Sequence, residues 1–123
     1  MAIVDLVDII EQRIAQIEED DEFVGVEDTY FDSEKGIWCL LTLFDEALGE
    51  LMGLEFVETA ESWRRPEAIL EYNEAASEEI MVLVVVPDES FVEMSELLAR
   101  AGNPMIHISD YSAMEFVPHV LVG

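Results

Sequence analysis

Trp63-Arg64-Arg65-Pro66 sets two guanidinium groups between an aromatic ring and a rigid proline, in a chain of 123 residues with only five Lys and Arg. Forked arginine contacts suit carboxylates and phosphates, so Trp63, Arg64 and Arg65 form a candidate grip for an anionic group. The structural expectation is stronger. The chain's own 29 acidic side chains outnumber its cations, so the two arginines should pair internally while Trp63 caps the core. A second pattern is the row Asp5, Asp8, Glu11, Glu18 and Glu22. Helical geometry places these carboxylates along, or just beyond, one helix at spacings of about 5 to 10 Å. Such a row can imitate a phosphate backbone and occupy the nucleic-acid-binding surface of a basic partner.

Other residue types point to weaker chemistry. Glu18, Glu19, Asp21 and Glu22, and the set Asp28, Asp32 and Glu34, supply the oxygen ligands that hard cations prefer. The second set lacks the alternating ligands, central glycine and terminal glutamate of a calcium loop, so a solvated acidic face is the expected reading and no metal ligand is assigned. His107 lies between Ile106 and Ile108, and alternation turns it away from its apolar neighbours. It and His119 would act as bases only if a carboxylate oriented them. Cys39, between Trp38 and Leu40, reads as a core residue with nothing nearby to lower its thiol pKa. Gly-rich phosphate loops, Gly-x-Ser-x-Gly elbows and His-Glu-x-x-His patterns do not occur in the sequence. The expectation is a protein without a catalytic centre or cofactor; a divalent-metal-assisted enzyme built on clustered carboxylates is the alternative.

Composition bounds these readings. The formal charge is −24, yet 51% of the residues are hydrophobic and the mean hydropathy is +0.23, which separates the chain from disordered acidic sequences. At this length one domain is expected. Five basic residues cannot form a face that displaces phosphate counterions, so direct nucleic-acid binding is disfavoured. The longest apolar run, 80–86, is far shorter than the roughly 20 residues of a membrane helix. The acidic N-terminal residues lack the basic region of a secretory signal, and the single cysteine excludes an internal disulfide; both suggest a cytoplasmic location.

The elements follow from periodicity and turn chemistry. Ile3, Leu6, Ile10, Ile14 and Ile17 recur at helical steps, which predicts an amphipathic helix over residues 3–18. Residues 37–44 are strand-like and should form a hairpin with 29–31 through a bulged loop at 32–36. Asp45 is placed to cap a short helix through Met52, with a strand at 54–59 and a helix opened by Pro66 after it. The run 80–86, the capping-box pattern Ser90-x-x-Glu93 and the strand at 105–109 describe a β-α-β unit with parallel strands. The predicted fold is α/β of mixed α+β kind: a single domain with a mixed sheet, an N-terminal helix, a β-hairpin and a C-terminal β-α-β unit. That order resembles nuclease-like α/β cores. Their central strand carries an acidic residue followed by Glu-x-Lys, whereas 80–86 carries no charge, so no family is assigned.

The net charge then has three readings: a nucleic-acid mimic, an acidic module steered onto a basic partner with an apolar patch supplying affinity, or adaptation to a saline cytoplasm. The expected function is a small non-catalytic interaction or regulatory protein that presents an acidic surface to a basic protein partner. The apolar segment 116–122 is expected to pack on the body, add an edge strand or join a second copy in a homodimer.

Overall fold

The computed structural model describes the backbone of residues 2–117 and 120–122 and the side chains of residues 5–117. Asp5 decides where the first helix begins. Its backbone is extended (φ −80°, ψ 101°) and its carboxylate accepts a hydrogen bond from the Asp8 amide at 3.3 Å, so α1 runs Leu6–Asp20. Ile3 is therefore not helical, although it fits the apolar period. Ala2–Val4 forms strand β1, paired antiparallel with β7, Val120–Val122, because β-branched residues favour extended backbone when a partner strand is present.

The hairpin is longer and tighter than predicted. β2 (Val24–Ser33) and β3 (Gly36–Asp45) pair in continuous register from Val24–Asp45 to Ser33–Gly36, closed by Glu34 and Lys35 alone. Gly36 has φ +120°, open to glycine, and the Ser33 hydroxyl donates to the Gly36 carbonyl at 2.8 Å. Side-chain bonding at the turn thus lets Asp32 and Ser33 remain in the strand.

The short helix expected at 45–52 does not form. Asp45 Oδ1 accepts from the amides of Ala47 and Leu48, each at 2.9 Å, but Gly49 at φ +70° turns the chain back at once. Leu51 then pairs with Phe44, and β4 runs Leu51–Val57. Gly49 and Gly53 weaken a helix here, and an open strand edge offers the backbone a better partner.

A 3-10 turn at Ser62–Arg64 precedes α2, Ala68–Ala76. β5 (Met81–Val86) pairs parallel with β4, and β6 (Ile106–Asp110) pairs parallel with β5 after helix α3 (Phe91–Ala101). The sheet is mixed, with order β2-β3-β4-β5-β6. The capping box at Ser90 is not made. Asp88–Ser90 form a 3-10 turn, which puts Ser90 in helical backbone geometry and leaves its side chain without a capping bond.

Two cores flank the sheet. Leu6, Ile9, Ile10 and Ile17 of α1 pack with Cys39, Leu41, Val57 and Val85 on one face. Tyr72 and Ala76 of α2 and Met94 of α3 pack with Trp38, Phe56, Val82, Val84 and Val86 on the other. Both crossover helices share this face, as right-handed connections stepping in one direction require. Every second residue of β5 serves each core, which explains its unbroken apolar run. Among the described residues, no helix is long and apolar enough to cross a membrane.

α1 also holds residues 114–117. Gln12 Nε2 donates to the Val117 carbonyl and the Val117 amide donates to Gln12 Oε1, both at 2.8 Å, while Gln16 Nε2 donates to the Met114 carbonyl at 2.8 Å.

Candidate functional site

The turn after β4 brings the sequence's arginine pair onto the sheet, and the two guanidinium groups meet different fates. Arg65 is buried, with its guanidinium 3.8 Å from the Trp38 ring centroid. Its Nη1 donates to Glu58 Oε1 at 2.7 Å, Nη2 to Glu58 Oε2 at 3.2 Å, and Nη2 again to Glu71 Oε1 at 2.7 Å. Glu58 is itself fully buried and also accepts from the Ser62 and Tyr72 hydroxyls, each at 2.7 Å. Its two oxygens therefore have four donors, a complete set for a carboxylate. Burial lowers the Arg65 pKa, but Glu58 and Glu71 outweigh it and the net shift is upward. Burial first, and the Glu58 charge second, raise the pKa values of Tyr72 and Tyr111. The Tyr111 hydroxyl donates to the Glu58 carbonyl at 2.6 Å, tying the turn after β6 to the same residue.

Arg64 lies outside. Its guanidinium stacks 4.2 Å from the Trp63 ring centroid and pairs with Glu61 at 3.1 Å and Glu93 at 3.0 Å. Trp63 is buried in the α2/α3 core, and its indole Nε1 has no hydrogen-bond partner among the described residues. An incoming anion at this cluster would have to compete with carboxylates that already hold both arginines.

Across the sheet, Arg13 of α1 makes a forked pair with Glu55 of β4: Nε to Oε1 and Nη2 to Oε2, both at 2.7 Å. Glu55 is fully buried, and Gln16 accepts a further Arg13 bond at 3.1 Å. Three of the five basic residues are thus tied into the chain's own ion pairs, and among the described residues only Lys35 and Arg100 stand outside them.

The carboxylate row divides by role. Asp5 caps α1, and Asp8 accepts from Gln12 Nε2 at 3.0 Å. Glu11 and Glu18 are exposed on α1, and Glu22 is exposed just beyond it. Helical geometry separates Glu11 from Glu18 by about 10 Å. The row brings three exposed carboxylates to solvent and gives two to local structure. His107 is exposed on β6, facing the same side as Leu83, its pairing partner on β5. His119 lies outside the described residues. Cys39 is buried beneath α1, and desolvation pushes its thiol up to about 12, which suppresses the nucleophilic thiolate. No group of three or more His, Cys, Asp or Glu arranged to hold a metal ion occurs among the described residues.

Glu55 and Glu58 are what sequence reasoning missed. The available signal is Leu54-Glu55-Phe56-Val57-Glu58: two charges within a strand apolar on both faces, in a chain able to offer each a guanidinium. The architecture these elements define is a mixed α+β domain, with α1 on one face of a five-stranded sheet and two crossover helices on the other. Comparison with family models, with curated proteins and with solved structures found no match.

Proposed function

We propose that this is a small non-catalytic interaction protein that presents an acidic surface to a basic protein partner. One observation carries the reading. Arg13, Arg64 and Arg65 are engaged by five of the 29 acidic side chains, so the rest of the carboxylates face a surface with almost no cations to offset them. A field of one sign over a folded surface raises the encounter rate with oppositely charged partners and repels like-charged ones.

The test is capture from native extract at about 0.15 M salt, where exposed charges interact over about 8 Å. Captured proteins are then purified and their binding measured directly. A basic partner that binds the native chain and weakens severalfold with the combined Glu11→Lys, Glu18→Lys and Glu22→Lys variant supports the reading. Turnover of a small substrate that disappears with His107→Ala would sink it.

A further inference from the structure

All five strands of the main sheet have an end at one edge, and each leaves a large apolar side chain in water there. β2 is entered from Phe23, β3 leads out to Leu48, β4 starts at Leu51 and Met52, β5 at Met81, and β6 just after Met105. Their exposures run from 45% to 71%, and these six are nearly half of the 13 exposed large hydrophobics among the described residues. Strand register puts all six at the same end of the sheet, and Met52, Met81 and Met105 line the two hollows there.

Two open hollows adjoin at Met81. One, of about 510 Å³, is lined by Ile80, Met105 and Glu79; the other, of about 340 Å³, by Ile17, Leu43 and Met52 with Asp20 and Asp21. Glu22, Glu46 and Glu50 are exposed around the same end. Among the described residues Arg13 is the one Lys or Arg lining either hollow, and Glu55 holds it; His107 lines the first.

We propose that this strand-end strip is the docking face for a cationic amphipathic helix of a partner protein. The inference rests on the acidic-interaction reading above and deepens it by naming the face and the chemistry of its occupant. Charge selects the occupant. A second copy of this chain would bring the same acidic rim against the first, whereas a helix flanked by Lys and Arg meets opposite charge on either side of its apolar stripe. Dimensions fit as well. Strands about 4.8 Å apart make a strip about 19 Å wide, which about 13 residues of helix span. A helical turn rises about 5.4 Å, so one apolar side chain per turn falls near each strand end. Three of the six strip residues are Met, whose flexible thioethers adapt to varied apolar partners.

The experiment is fluorescence anisotropy with a labelled peptide of about 16 residues, with Leu at i, i+3, i+4 and i+7 and Lys elsewhere. A scrambled peptide of the same composition is the control, and both are measured at about 0.15 M salt. The amphipathic peptide should bind about tenfold or more tightly than the scrambled one, a difference of about 1.4 kcal/mol. Met105→Asp and Met81→Gln should each remove that preference, while Val92→Asp on α3 should leave it intact. Met105 lies in a turn and is 68% exposed, so its variant decides the matter even if Met81→Gln fails to fold.

Equal binding of both peptides would overturn the strip while leaving the acidic-surface reading standing, because charge alone would then account for it. An unchanged preference in the Met105 variant would also overturn it. So would a dimer, seen by sedimentation, that Met105→Asp dissociates. Failure of both peptides to bind, together with capture of no basic protein, would sink the strip and the proposed function alike.

Discussion

Glu58 accepts four hydrogen bonds from three side chains, and its position makes each donor expensive to lose. Arg65→Leu would leave a buried carboxylate without its counter-ion, and breaking a buried pair from one side costs about 3 to 5 kcal/mol. Tyr72→Phe removes one neutral donor to the same group and should cost about 1.5 to 3 kcal/mol. Urea unfolding should show both as lower midpoints with unchanged slope, in that order of severity. Cys39 makes a separate prediction about pH. Its folded pKa, near 12, lies above the roughly 8.5 of a free thiol, so the unfolded chain loses its proton first as pH rises. The thiol's contribution is complete below about pH 8.5 and is lost between there and pH 12, so stability should fall across that window. Cys39→Ala should move the onset of that fall upward, as followed by unfolding at stepped alkaline pH. These buried groups leave only part of their pattern in the sequence. Arginine-rich Trp63–Pro66 was visible as a cluster, but its acidic partner Glu58 lies in what reads as an ordinary strand, and only the fold brings it to Arg65.

At the scale of elements, the hairpin, the parallel β-α-β unit and the mixed sheet were legible because their apolar periods and turn residues agree with their final environments. The hairpin's tight turn, the unmade cap at Ser90 and two element boundaries were not. Ile3 sits in helical register with Leu6, but Asp5 caps the helix after it and β1 finds a partner more than a hundred residues away. Residues 45–52 have helix-compatible composition, yet the neighbouring strand takes Leu51 into its ladder. In both places pairing with another strand, distant for β1 and adjacent for Leu51, overrode local propensity. The pairing of α1 with residues 114–117 yields a prediction. Gln12→Ala removes two hydrogen bonds to the Val117 backbone while leaving the buried stripe of α1 untouched. Amide exchange at Val117 should accelerate by tenfold or more, and exchange within β3 and β5 should be little changed, because local opening and global unfolding are separable.

For the whole molecule, the −24 charge is a standing self-repulsion that salt can screen. Between about 0.1 M and 1 M potassium chloride the screening length falls from about 10 Å to about 3 Å. The melting temperature should rise over that range and then level off, since little repulsion remains to be screened. A melting temperature that continues to climb well into molar salt would mark the charge as adaptation to a saline environment, and would remove the main support for an acidic docking surface. Binding of a cationic partner should show the opposite trend, weakening as salt rises while its apolar part persists.

The grip of Gln12 and Gln16 on residues 114–117 also bears on the order in which the molecule can be made. A ribosome makes α1 about a hundred residues before the backbone groups it must hold, and β1 waits equally long for β7. The hairpin and the parallel strands can assemble meanwhile, since their partners are closer in sequence. Completion of the α1 layer therefore waits for residues 111–117. Until residues 111–116 arrive, the stripe of α1 rests on Cys39, Leu41, Val57 and Val85 of the sheet, and the gap that Tyr111 and Phe116 later fill is open to whatever waits at the tunnel exit.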